Sequence, residues 1–260
     1  MKTQHVLIYD GSFKGFLTLI FTVFEEKIEV SAISPEESVQ SDMFSSPTFI
    51  TTDLEKYNRV KLGLKKVLSA SADKQLYFAF LSEIKGIEMQ LLHYIKEAFR
   101  NKNFSSTDFG NPVVLKINQV SKMVSREKHR MEAFVRFQLT KEDIFFATIE
   151  PDFNVLPLIL KHFESRYADQ KWIIYDLKRN FGLFYNLQKT SYINLEFNRD
   201  HKEKSDKSSI YKHCEKEFQQ LWQEYFSSTN IKSRKNMKLH LQHVPKRYWK
   251  YLTEKSSWQN

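Results

Sequence analysis

The sequence predicts an α+β fold: a helical N-terminal half opened by one short strand, then a small antiparallel sheet, then a C-terminal helix with a basic tail. Two observations carry this. Up to about residue 130 the apolar residues recur at the offsets of one helix face, and from Met131 they alternate as in a strand. Between 131 and 197 a hairpin, a helix and a second hairpin then follow in order, which places a helix against one face of a sheet. The whole chain reads as one domain with a helical part over about 1–130, a sheet-bearing part over about 131–197 and a C-terminal part over about 209–260.

Val6 to Tyr9 form the first strand, ended by Asp10-Gly11-Ser12. Phe13, Phe16, Leu17, Ile20, Phe21 and Phe24 then mark a helix that Ser12 can cap, because its hydroxyl accepts from a free first-turn amide. Residues 25–52 are more polar and contain Pro35 and Pro47, so a loop is expected. Asp53 can cap a second helix with Val60 and Leu64 inward, and Asp73 a third with Leu76 and Phe80 inward. Gly86 breaks the chain before a fourth helix bearing Ile87, Leu91, Tyr94 and Ile95. Asn111-Pro112 looks like a cap followed by proline in the first turn, where its missing amide costs nothing, and Val113, Ile117, Val120 and Val124 form the fifth stripe.

Ala133, Val135 and Phe137 alternate with Phe134, Arg136 and Gln138, and Ile144 to Ile149 read as the returning strand after Lys141-Glu142-Asp143. A helix with Ile159 and Phe163 inward follows, with Pro157 in its first turn, and Trp172–Leu177 with Leu183–Leu187 form the second hairpin. A last helix spans roughly Ile210 to Phe226.

The 260 residues are 41% hydrophobic with only 6 Gly and 6 Pro, which excludes a disordered or low-complexity chain. The lone Cys214 excludes an internal disulfide, an iron–sulfur cluster or a multi-thiolate zinc site ligated by this chain alone. His213-Cys214 with His240 and His243 could be assembled into a metal site on paper but lack the spacing of a finger, so neither metal nor cofactor is expected. The longest uncharged apolar run, Gly15 to Phe24, is about half of what a membrane span requires, and Asp10 and Lys14 spoil a signal peptide. The expected compartment is the cytoplasm, with no membrane contact.

The net charge is +9, with 40 Lys and Arg against 31 Asp and Glu. Residues 227–260 hold eight Lys or Arg and one acid, so +7 of the +9 sits in that segment. Arg234, Lys235, Lys246, Arg247 and Lys250 are interleaved there with Tyr248, Trp249 and Tyr251. Cations neutralise phosphates and aromatic rings stack on unpaired bases, so these residues, Trp249 included, are candidates for nucleic-acid contact. The plainer alternative is a solvated tail whose aromatics dock on the body of the protein.

Three other constellations carry a functional and a structural reading each. Asp10-Gly11-Ser12 could aim free helical amides at an anion, or be an ordinary capped turn. Arg126-Glu127-Lys128-His129-Arg130 could grip a phosphate through Arg126 and Arg130, or hold an acid–base pair in His129 and Glu127. It could equally be a cationic last turn on the helix dipole. Asp152 could join that pair as a catalytic carboxylate, with Asp176 its one available partner, or cap the helix that follows.

Several ordered blocks resemble a known bacterial family. They are Tyr9-Asp10-Gly11-Ser12-Phe13, Glu127-Lys128-His129-Arg130-Met131, Phe134-Val135-Arg136-Phe137 and Ile149-Glu150-Pro151-Asp152-Phe153-Asn154-Val155-Leu156. His162-Phe163, Arg166, Gln170-Lys171-Trp172, Asp176, Leu221-Trp222, Tyr225-Phe226, Asn236 and Gln242-His243-Val244-Pro245-Lys246-Arg247-Tyr248-Trp249 complete them. The chain is similar to the uncharacterised "probable DNA metabolism protein" family, whose members are encoded beside a radical-SAM protein of DNA repair or modification. A related domain is fused to uracil-DNA glycosylase-like proteins. The resemblance implies DNA and the radical-SAM protein as partners, with a uracil-DNA glycosylase-like protein as a further one. It carries over no glycosylase residues. The expected function is a DNA-binding accessory protein of a repair or base-modification system. An enzyme acting on DNA through His129, Glu127 and Asp152 is the first alternative, and a protein–protein adaptor without DNA contact the second.

Overall fold

The computed structural model describes residues 5–36, 47–195, 220–221, 241–252 and 254–255. The chain divides into two compact units, Met1–Ser125 and Arg126–Asn260, and both helices and sheet are present as the α+β class requires. Among the described residues no helix is long and apolar enough to cross a membrane.

In the first unit, β1 (His5–Tyr9) is the centre of a three-stranded parallel sheet, flanked by β2 (Val30–Pro35) and β3 (Thr48–Ile50). Parallel neighbours need a long crossover, and α1 (Phe13–Glu25) supplies it between β1 and β2. Phe16, Leu17, Leu19 and Ile20 are fully buried, so α1 is apolar nearly all round. The loop expected over 25–52 is thus corrected by two strands. Pro35 hid the first of them, yet it is the last residue of an edge strand, where a missing amide costs no ladder bond. The second is only three residues long and too short for a pattern.

Helices α2 (Leu54–Val67), α3 (Ala70–Phe80) and α4 (Ile87–Arg100) follow, and α5 (Pro112–Phe134) begins in this unit. The Asp53 carboxylate accepts from the Glu55 and Lys56 amides at 2.8 and 3.1 Å. The third helix starts earlier than expected. Ser69 caps it through the Ala72 amide, and Asp73 instead sits in its first turn, paired with Lys61 at 2.9 Å. Gly86 precedes α4 with φ +80°, a left-handed conformation that glycine adopts without strain.

The second unit holds a five-stranded sheet in the order β4 (Gln138–Leu139), β5 (Phe145–Ile149), β6 (Trp172–Asp176), β7 (Phe181–Tyr185), β8 (Thr190–Ile193). It is mixed rather than antiparallel. β5 and β6 run parallel, Phe145 against Trp172 through Ile149 against Asp176, because α6 (Leu156–Arg166) returns the chain between them. A second correction falls at Met131, where α5 continues to Phe134 and only Gln138–Leu139 pair as strand. Val124, Glu127 and Met131 are buried at helical spacing, which outweighs a brief alternation over 133–138. Trp172, Ile174, Ile159 and Phe163 are buried, and the half-buried Phe137 ring lies 5.8 Å from Phe163 and 5.2 Å from Tyr167. Of the expected last helix, only Gln220 and Leu221 lie among the described residues, and both are helical.

Gly182 pairs with Tyr175 across β6 and β7, and a Cβ there would stand 2.8 Å from the Ile174 carbonyl oxygen and 2.8 Å from the Tyr175 ring. Both obstacles are fixed in the sheet. Gly182→Ala is expected to destabilise the protein by about 1–3 kcal/mol. Thermal unfolding measures it, and a variant as stable as the parent would place Gly182 in roomier surroundings than described.

Candidate functional site

Glu127 lies on α5 with 1% of its surface exposed. A carboxylate so placed persists only if donors replace its water. One oxygen accepts from the Asp152 amide at 2.9 Å and from the Tyr248 hydroxyl. The other faces Arg130 at 3.4 Å and Arg247 at 3.8 Å. Arg247 also donates to the Tyr248 hydroxyl at 2.8 Å, pairs with the Asp152 carboxylate, and lies over the Tyr248 ring at 4.6 Å. Burial, then the Glu127 carboxylate, push the Tyr248 hydroxyl's pKa well above its ordinary range, so it remains a donor. Burial opposes the charge on Arg247, but Tyr248, Asp152 and Glu127 more than restore it.

The turn Glu150-Pro151-Asp152 leaves β5 and is gripped from a second side. Arg179 donates to the Pro151 and Asp152 carbonyls at 3.1 Å each and pairs with the buried Asp176 at 2.9 Å. Lys178 reaches the Asp152 carbonyl at 3.3 Å. The Asp176 carboxylate accepts from the Lys178 and Arg179 amides at 2.9 and 3.2 Å. Burial still pushes its pKa up, against the pull of Arg179. Lys250 pairs with Glu150 at the rim. Asp152 is therefore neither a helix cap nor a partner of Asp176; its backbone and side chain join Glu127 and Arg179 to Arg247.

The 3-10 helix Lys246–Tyr251 carries Arg247, Tyr248 and Lys250 into this network. Trp249 on the same turn is only 6% exposed, donates from Nε1 to the Val244 carbonyl at 3.0 Å and has Lys255 above its ring. Its indole anchors the segment, so the expected base-stacking surface is corrected to a packing one. Lys246 and Arg126 are exposed. Arg234 and Lys235 lie outside the described residues.

His129 does not join Glu127. Two residues on a helix differ by about 200° in direction, and the His129 ring, 87% exposed, faces Glu132 at 3.8 Å. Glu132 also takes Lys128 and, at 3.9 Å, His162. Among the described residues no group of three His, Cys, Asp or Glu side chains could hold a metal ion.

At Asp10-Gly11-Ser12 the anion reading is overturned by the chain's own carboxylate. Asp10 accepts from the Ser12 amide at 2.9 Å and the Thr52 hydroxyl at 2.7 Å, and it lies 2.1 Å from where a Cβ on Gly15 would stand. Burial works against its charge, but those hydrogen bonds hold its pKa below the ordinary range. Ser12 itself caps α1 through the Gly15 amide at 2.9 Å. The Asp10 carboxylate, two residues before the cap, already lies against the start of α1.

Tyr248 and Arg179 escaped the reading from sequence. Tyr248 stood among the interleaved aromatics, with nothing to distinguish a donor from a stacking ring. Arg179 lay in a segment that reads only as a hairpin turn, and only the fold brings it under Asp152.

A family model described as a domain of unknown function, DUF4130, matches residues 85–254. The chain belongs to the DUF4130 family. The matched region opens just before α4 and contains every member of the Glu127, Asp152, Arg179 and Arg247 network; β1 to α3, and with them Asp10, precede it. No curated protein and no solved structure matches the chain.

Two outcomes are expected of this DUF4130 network. Tyr248→Phe keeps the ring and removes one donor from a buried carboxylate, which should lower stability by about 1–3 kcal/mol in chemical denaturation. An unchanged midpoint would mean that Glu127 has another donor. The hydrogen bond and charge of Lys250 hold the Glu150 carboxyl below its ordinary range. Its contribution is therefore present above the unfolded pKa of about 4.3 and is lost as the pH falls through the folded value. The pair is exposed, so the effect is under about 1 kcal/mol. Thermal unfolding from about pH 6 to 3 should fall less steeply in Lys250→Met than in the parent; identical slopes would discount the pair.

Proposed function

We propose that this DUF4130 protein is a DNA-binding accessory component of a bacterial repair or base-modification system, acting with a radical-SAM partner that carries out the chemistry. One observation supports this above the others. Glu127 and Asp152, the carboxylates an acid–base mechanism would enlist, are both engaged by Arg247, and together they hold the Lys246–Tyr251 stretch of the basic C-terminal segment. A seated stretch at Lys246–Tyr251, within the sequence that bears most of the net positive charge, suits phosphate contact at low conformational cost. The resemblance to DNA metabolism proteins supplies the partner and the pathway, and a uracil-DNA glycosylase-like protein is a further partner on the same ground.

A second reading, an enzyme acting on DNA, draws on a different feature of the same network. Arg247 and Asp152 are each about half exposed above the buried Glu127 and Tyr248, so a proton path reaches solvent there. In that reading Glu127→Gln abolishes turnover of a DNA substrate while DNA affinity stays within a few-fold. The accessory reading requires no turnover from the protein alone.

The test is fluorescence anisotropy with labelled DNA over a range of salt, with and without the radical-SAM protein. Lys246→Ala with Lys250→Ala should weaken binding alike on unrelated sequences and lower the slope of log affinity against log salt by about 1.8, near 0.9 per lost duplex phosphate contact. Both side chains are exposed, so the fold should survive. No measurable DNA binding by the parent, alone or with the partner, would leave the adaptor function instead.

A further inference from the structure

The end of α4 and the start of α5 border an open surface cavity of about 580 Å³, lined by His93, Lys96, Glu97, Arg100, Asn101 and Val113. His93, Lys96 and Arg100 are spaced three and four residues apart, so they share one face of α4. Among the described residues none of the three is in an ion pair within 4.0 Å, and Glu29 acts on Lys96 electrostatically. Burial, then the neighbouring Arg100, lower the Lys96 pKa against the opposing pull of Glu29. The one acid in the wall, Glu97, is held by the Asn111 side-chain amide at 2.6 Å. Val113 lies in the first turn of α5, where the Asn111 side chain accepts from the Val113 and Val114 amides at 2.9 and 3.4 Å.

We propose that this cavity binds a phosphate monoester carried on an organic body of nucleotide size. Lys96 and Arg100 take the phosphate, Arg100 with a fork of donors matched to its oxygens. The His93 ring and Val113 offer apolar contact to the rest of the ligand. The volume lies in the range of about 300–1,000 Å³ usual for small-molecule sites, and inorganic phosphate alone would leave most of it unfilled. Lys246 and Lys250 form no part of this site, so it stands or falls apart from the DNA reading.

Calorimetric titration of the full chain with AMP, adenosine, inorganic phosphate and a 5′-phosphorylated tetradeoxynucleotide tests it. AMP or the phosphorylated strand should bind saturably, adenosine should not, and inorganic phosphate should bind more weakly than either. Whichever of the first two binds tighter names the source, a free nucleotide or a strand end. Lys96→Gln with Arg100→Gln should weaken that binding by about tenfold per lost contact, the scale of one charge-assisted hydrogen bond. Arg100→Gln alone, at an exposed position, keeps the test valid if the double variant unfolds earlier. Adenosine binding as tightly as AMP, phosphate binding as tightly as AMP, an affinity unmoved in folded variants, or no saturable binding of any phosphate-bearing probe would each overturn the proposal.

Discussion

A single buried carboxylate organises the second unit. With 1% of its surface in water, Glu127 exchanges hydration for donors from three places: Arg130 one turn on, the Asp152 amide after β5, and Arg247 with Tyr248 from the C-terminal segment. Removing one side of a buried pair costs about 3–5 kcal/mol because the remaining charge has no solvent to return to. That penalty holds three separated stretches of sequence to one arrangement. It also accounts for the length of α5, since Glu127, Arg130 and Met131 share a face only if the helix continues through them.

Helices were the legible part of this sequence, because each carries its own period and its own cap. Ser12 and Asp53 cap where the composition places them, and Gly86 breaks the chain where a left-handed residue is needed. Strands were harder for a physical reason. β3 and β4 have three and two residues, too few for alternation to separate them from chance, and in the six-residue edge strand β2 Pro35 hid the strand. Strand direction was not legible at all: a helix between two hairpins is compatible with either sense until the β5–β6 register is known.

For the site, residue type was visible in the sequence and partnership was not. Glu127, Asp152 and Arg247 could be singled out by chemistry, yet Asp152 and Arg247 are separated by most of the second unit in sequence, and only the fold shows them spending their charge on each other. His129 illustrates the reverse. Its proximity to Glu127 in sequence suggested a pair that helical geometry forbids. Trp249 shows why an aromatic within a basic segment is ambiguous: a ring that packs inward and a ring that stacks on a base have the same composition around them.

The five-stranded sheet ends in one strand of two residues and one of four. An unpaired edge is a template for another chain, and its length sets how many backbone bonds a stray partner can gain. Two residues at β4 offer too few to hold an intruder, and four at β8 offer little more. Among the described residues, the brevity of these two end strands thus leaves the five-stranded sheet little backbone to offer an intruder.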